Sequence, residues 1–187
     1  KENTTILFGA MNTAGGSLKW FRDALYGGET PQNDAYPRIN KEIEAGAKNP
    51  TGLIFLPYMA GERAPIWDPN ARGTFMGLNM NTTRAEMLRA VMEGTSFALQ
   101  DNLDQAIKTG IPIRDFICCG GCSKSDIWLK IKASVIGQEI KIPSVNLGAP
   151  GGLGYMNAAF MGEYKTPEDA SRAALQIKKI VRSEERR

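Results

Sequence analysis

A chain of 187 residues, 42% hydrophobic and 23% charged, is long enough for one domain with a substantial core and has the composition of an ordinary globular protein. Its net charge of +3 is small, and the basic residues are interleaved with acidic ones, which argues against a nucleic-acid partner. There is no histidine, so Ser-His-Asp and Cys-His catalysis and His-bearing zinc sites are excluded within these residues.

Ile6 to Phe8 is a short apolar run, and it is followed by a stretch that ends in Ala14-Gly15-Gly16. A helix follows, with Leu18, Phe21 and Leu25 on one side, Ser17 as its expected cap and Gly27-Gly28 as its stop. A second helix is expected over residues 33–47, with Tyr36, Ile39 and Ile43 in phase, Asn33 or Asp34 as cap and Pro37 in the first turn. Residues 53–56 form a short apolar run suited to a buried strand. From Gly61 to Gly73 two prolines and many polar groups forbid regular structure, so this is a loop, pinned by Glu62–Arg63 or Asp68–Arg72 contacts. Thr83 and Glu86 make a capping box for a helix of roughly seven turns ending near Thr109. Leu88, Val91, Met92, Thr95, Ala98, Leu99, Leu103, Ala106 and Ile107 form its stripe, and Glu93 and Gly94 read as a solvated acid and a close-packing glycine.

Residues 114–137 hold the stretch around which the rest is organised. Residues 116–119 are a strand-length apolar run, Gly120 and Gly121 follow at once, and Ile127, Trp128, Ile131 and Val135 then fall at helical spacing. Ser123 with Asp126 is an approximate capping box, and Gly137 is placed to close the last turn. A strand, two glycines and a helix start let backbone approach a flat or anionic ligand closely. The same geometry also describes a tight packed connection, and short glycine patterns alone do not decide between the two. A third reading starts from Cys119-Gly120-Gly121-Cys122, a C-x-x-C where a thioredoxin-like redox pair would sit.

Beyond it, residues 139–142 are another short strand, and residues 148–154 lead into a helix that is rich in small residues and runs to about Phe160, with Pro150 suited to its first position. Thr166-Pro167-Glu168-Asp169 opens a final helix expected to run from Glu168 to Val181, followed by a charged tail. The uncharged run from Ile142 to Gly162 contains Pro143, Pro150, Asn146 and Asn157 and is not a membrane span. Cys118, Cys119 and Cys122 are too close together for a secreted disulfide framework and lack a fourth zinc ligand, so a reducing cytoplasm is the expected setting. The chain opens Lys1-Glu2-Asn3 without an initiating Met, the start expected of a piece of a longer protein. Strands and helices alternate from Leu53 onward, which predicts an α/β class.

Three stretches in order resemble the C-terminal domain of the FGGY family of carbohydrate kinases. Gly61-Glu62-Arg63-Ala64-Pro65 with Asp68-Pro69-Asn70-Ala71-Arg72-Gly73 is similar to the family's Gly-Glu-Arg-Pro and Asp-Pro-x-Ala-Arg-Gly signature, Gly120-Gly121 with Ser123-Lys124-Ser125 and Trp128 to its adenosine motif, and residues 148–159 to its late Gly-Ala-rich helix. Residues 14–23 also fit a family helix, and xylulose kinases, with gluconate kinases nearby, are the members most resembled.

The resemblance implies an actin-like ATPase (ribonuclease H-like) domain with a central mixed sheet flanked by helices. Residues 1–165 would be an N-terminally truncated nucleotide-binding domain, and residues 166–187 a C-terminal helix and charged tail. It implies ATP as phosphate donor, Mg2+ bound with it, and a ketose such as xylulose as acceptor. Gly120, Gly121 and Ser125 would line the adenosine pocket, with Gly15 and Lys19 near the nucleotide. The aspartate base, the phosphate-gripping hairpin and the sugar domain of family members lie upstream of the position matching Lys1, and no acidic residue here matches that base. No catalytic residue and no metal ligand is therefore assigned in this chain, and the fragment alone would be inactive. Nucleotide and sugar are the expected partners, a homodimer is a candidate assembly, and neither nucleic acid nor membrane is expected. Two rivals from other classes are a redox module built on Cys119 and Cys122 and a non-catalytic actin-like ATPase or scaffold domain.

Overall fold

The computed structural model describes residues 7–26, 32–145 and 148–183. The chain divides into two compact units, Lys1–Ile113 and Arg114–Arg187, so the division falls inside the stretch 1–165.

In the first unit, α1 (Gly15–Leu25) and α2 (Gln32–Gly46) precede β1 (Ile54–Leu56), β2 (Thr74–Met76) and the long helix α3 (Arg84–Lys108). Strands β1 and β2 pair antiparallel with Phe55 opposite Phe75. The core is built where α3 crosses β1, α1 and α2. Leu88, Val91 and Met92 of α3 are buried with Phe21 of α1, Ile39 and Ile43 of α2, and Phe55 of β1. Phe75 joins this core through rings, with centroids 4.7 Å from Phe55 and 6.4 Å from Phe21. The α3 capping box forms as its sequence predicts: Thr83 Oγ1 accepts from the Glu86 amide and Glu86 Oε2 accepts from the Thr83 amide. The far end of the stripe is less covered, and Ile107 is exposed.

Three expectations for this unit change. Helix α1 begins at Gly15, so Ser17 stands inside its first turn; its hydroxyl donates to the Thr13 carbonyl (2.8 Å) and does not cap. Helix α2 begins at Gln32, which places Asn33 and Asp34 inside the helix. Glu93 is not solvated: its side chain is 12% exposed and pairs with Arg89 at 2.6 Å. Gly27-Gly28, expected to stop α1, lies outside the described residues, where Leu7 and Phe8 lie within them without regular structure.

Gly94 is the close approach between α3 and β1. A Cβ built there would collide with the Phe55 carbonyl oxygen and stand 3.0 Å from its carbon. Backbone cannot retreat as a side chain tip can, so Gly94→Ala is expected to destabilise by about 2–3 kcal/mol. Thermal unfolding followed by circular dichroism checks it, with Tm falling by roughly 5–10 °C. Gly152→Ala is the control: it lies in a helix with nothing within 4 Å of its Cβ, and is expected to leave Tm unchanged or raise it slightly.

The second unit runs β3 (Phe116–Ile117), a 3-10 turn (Gly121–Lys124), α4 (Asp126–Ile136), β4 (Ile140–Pro143), α5 (Gly148–Phe160), α6 (Pro167–Ala174) and β5 (Ile177–Val181). Its sheet is mixed, in the order β3-β4-β5: β3 lies parallel to β4, and β5 antiparallel to β4. Leu129 and Ala133 of α4 bury against Ile140, Ile142 and Val181, with Phe116 and Cys118 packed at the margin. Thr166 caps α6 as its sequence predicts, accepting from the Asp169 amide at 3.2 Å.

The helix expected to reach Val181 stops at Ala174 instead. Residues from Ile177 form β5, with Lys141 opposite Ile180 and Ile142 opposite Lys179. Isoleucine and valine suit a pleated ladder, and the exposed edge of β4 supplies hydrogen-bond partners that a solvated helix would not offer. Helix α5 forms as expected, but it starts at Gly148, so Pro150 is its third residue.

Candidate functional site

The turn after β3 is held from both sides. The Cys118 amide donates to the Lys141 carbonyl at 3.0 Å, continuing the parallel pairing past β3. Gly120 then takes φ +83°, a conformation that a side chain would strain. Its carbonyl accepts from both the amide (3.3 Å) and the hydroxyl (2.7 Å) of Ser123, which fixes the 3-10 turn. Helix α4 starts next, with Ile127, Trp128, Leu129 and Ile131 buried, and ends at Gly137 in the left-handed region.

Ser125, rather than Ser123, is the cap of α4. Its Oγ accepts from the Trp128 amide at 3.3 Å, and the 3-10 turn takes up the residues where the helix was expected to begin. Asp126 is therefore the first helical residue, and it pairs with Lys179 of β5 at 2.7 Å. The predicted Ser123–Asp126 capping box does not form.

Gly120 and Gly121 are both exposed, and a Cβ built on either meets no heavy atom within 4 Å. The glycines are thus not there to let another protein segment pack on the turn. They leave bare backbone facing open space, bordered by the start of an eleven-residue helix. Such a surface admits a planar ring or a polar ligand to van der Waals distance of the main chain.

The thiols beside it pair differently from the C-x-x-C reading. Cys118 Sγ lies 3.6 Å from Cys122 Sγ, across the two glycines, while Cys119 is exposed. The hydrogen bond from Cys118 draws the Cys122 thiol below the ordinary thiol range against its burial, and the Lys132 ammonium assists. The contact with Cys122 and then its own burial push the Cys118 thiol up.

Gly15 and Lys19 belong to the first unit, whereas Gly120, Gly121 and Ser125 belong to the second. Both of the former are exposed and lie one turn apart on α1, so they share a face, and a Cβ at Gly15 meets nothing within 4 Å.

Sequence reasoning missed how the loop from Gly61 to Gly73 is held. It is organised by backbone bonds around Glu62, whose side chain is buried at 4% exposure. Glu62 Oε1 accepts from the amides of Asn12 (2.9 Å) and Arg63 (2.7 Å), and the Glu62 amide donates to the Asp68 carbonyl at 2.8 Å. Asp68 Oδ1 accepts from the Asn70 amide, and Arg72 donates to the carbonyls of Pro69 and Ala71. The expected Glu62–Arg63 contact therefore runs through the main chain, and Arg72 serves carbonyls rather than the Asp68 carboxylate. The only signal in sequence was a glutamate between glycine and arginine in a proline-bounded loop.

Solved sugar kinases share this architecture, which is the actin-like ATPase fold. The xylulose kinase of Lactobacillus acidophilus superposes with a TM-score of 0.78 at 30% identity, covering 92% of this chain and 34% of that one. A model of the FGGY family of carbohydrate kinases, C-terminal domain, matches residues 1–163, and the chain belongs to that family. The xylulose kinase of Staphylococcus epidermidis is 29% identical over 178 residues, covering 95% of this chain and 35% of its own length. The gluconokinase of Bacillus licheniformis is 32% identical over 154 residues, covering 76% of this chain and 29% of its own. The chain thus spans about a third of the length of the curated relatives it matches.

Proposed function

We propose that this chain is the nucleotide-binding part of an ATP-dependent carbohydrate kinase of the cytoplasm, with residues 1–165 as the binding domain and a ketose such as xylulose as phosphate acceptor. The observation that carries this reading is the open space over Gly120 and Gly121 in a family of carbohydrate kinases. Bare main chain there is the surface proposed for the adenosine, with Ser125 at its side as cap of α4; Gly15 and Lys19 of α1, in the first unit, are proposed as nucleotide-proximal on the family likeness alone. An ammonium and helix-start amides are the groups a polyphosphate would recruit.

Phosphoryl transfer also needs an in-line hydroxyl, a base for its proton and magnesium-held phosphates. Mg2+ would come with ATP, and no residue of this chain is assigned to it. Base and sugar contacts are assigned to a segment preceding Lys1. Gluconate is the alternative acceptor, supported by the likeness to gluconokinase.

Titration of the 15N-labelled chain with ADP tests the site. The amides of Gly120, Gly121 and Ser125 are expected to shift together and saturably. ADP binding that leaves all three unmoved would place the purine elsewhere.

A further inference from the structure

The Cys118–Cys122 pair has no role in the proposed function, yet it brackets the two glycines to which that proposal gives the adenosine. The sulfurs are 3.6 Å apart. An S–S bond is about 2.05 Å, so oxidation needs an approach of about 1.5 Å. The two sides of that approach are unequal. Cys118 is fixed by its amide bond to the Lys141 carbonyl and by packing against the core of Leu129, Ile140 and Val181. Cys122 rides on the 3-10 turn, reached through Gly120 and Gly121, whose backbones meet no packing constraint within 4 Å of a would-be Cβ. The approach therefore falls to the Cys122 side, where the exposed turn has no neighbouring segment to displace and has its own Gly120–Ser123 bonds to loosen.

We propose that Cys118 and Cys122 form a reversible thiol-modification site, which a small-molecule disulfide converts into an intramolecular bond that closes the Gly120–Gly121 turn to nucleotide. The second half of this proposal rests on the nucleotide reading above. Cys122 attacks first, since it rides on the exposed turn while Cys118 packs against the core, and the Cys118 contact and Lys132 draw its thiol low. Its thiolate bonds to one sulfur of the external disulfide, whose S–S bond breaks, and the departing thiolate takes up the proton that Cys122 lost. Cys118 then attacks Cys122 Sγ, the mixed disulfide breaks, and the second external thiol leaves with the proton of Cys118. Two protein thiols lose two hydrogens, and the external disulfide gains them. Cys119 is not part of the internal bond, because the sulfur beside Cys122 Sγ is that of Cys118, and what Cys119 brings to Cys122 Sγ is its carbonyl at 3.8 Å.

The test incubates the chain and its Cys119→Ser variant with oxidised glutathione, traps free thiols with an alkylating agent, and maps peptides by mass spectrometry. A Cys118–Cys122 crosslink is expected in both proteins. Cys118→Ser is expected to stop at a glutathione adduct on Cys122, and Cys122→Ser to form no intramolecular bond. ADP affinity, measured calorimetrically before and after oxidation of Cys119→Ser, is expected to fall at least about tenfold and to return on reduction with dithiothreitol. A Cys119–Cys122 bond in the unsubstituted chain, no crosslink at all, or a crosslinked turn with unchanged ADP affinity would each overturn the proposal. If the reduced chain crosslinks normally yet binds no ADP, the nucleotide reading fails and the switch with it, leaving a disulfide without that role.

Discussion

Replacing Gly121 with leucine is expected to weaken ADP binding by about 100-fold or more, roughly 2.7 kcal/mol, while the chain stays folded. The two parts of that statement have separate physical grounds. Gly121 is the first residue of the 3-10 turn, and the glycines with left-handed φ do not include it, so a side chain introduces no backbone strain. Its Cβ would meet nothing within 4 Å, so no protein atom has to give way. Stability is then expected to change by about 0.5 kcal/mol or less, as for an ordinary surface position. The leucine occupies the volume over bare backbone into which a purine would settle, and the ligand must either clash or forfeit its contact with the main chain. Calorimetric ADP titration paired with thermal unfolding separates the effects. Gly120→Leu is the less useful variant, since at φ +83° it adds strain of order 1–2 kcal/mol to whatever it does to the ligand. A folded Gly121→Leu chain that binds ADP as tightly as before would remove the site from this turn.

How much of this was legible in sequence depends on how local each determinant is. Helix α3 could be read to within a residue at each end because Thr83 and Glu86 lie three apart and satisfy each other. Gly137 was legible for the same reason: a helix end that needs a left-handed residue announces itself with glycine. Ser125 shows the limit. Two serines compete for one cap, and the 3-10 turn that decides between them is set by Gly120's carbonyl taking both donors of Ser123. The thiol pairing escaped likewise, because i,i+3 spacing in a helix suggests Cys119 with Cys122, whereas the same turn brings Cys118 to Cys122. Strand β5 was missed because Ile177-Lys178-Lys179-Ile180-Val181 does not alternate and sets its isoleucines three apart, as on a helix face, and only the distant β4 edge makes it a strand. Glu62 was the hardest to see. A charged residue in a loop reads as solvated, and its burial depends on the Asn12 amide, fifty positions earlier.

Arg89 belongs to that same non-local class, and its replacement by alanine is expected to destabilise the chain by about 3–5 kcal/mol. Its side chain is 9% exposed and lies on α3 one turn before Glu93, which is 12% exposed; Nε meets Glu93 Oε1 at 2.6 Å. The guanidinium also donates to the carbonyls of Ala47 (3.2 Å) and Lys48, just past the end of α2, where helix carbonyls need a partner. Truncation thus removes the Arg89 partner of a mostly buried carboxylate and a donor from two carbonyls, and the first effect is the larger. The comparison that identifies the cause is Arg89→Met with Glu93→Leu. The double variant takes both charges out together and fills the volume with apolar atoms, so it is expected to recover more than half of the loss, the remainder being the uncapped carbonyls of α2. Urea unfolding monitored by tryptophan fluorescence measures all three proteins, with the midpoint moving and the slope unchanged if the native fold is kept. A loss below about 1 kcal/mol for Arg89→Ala would put this pair in the class of exposed ion pairs, and the α2–α3 contact would then rest on Ile39, Ile43 and Leu88 rather than on Arg89.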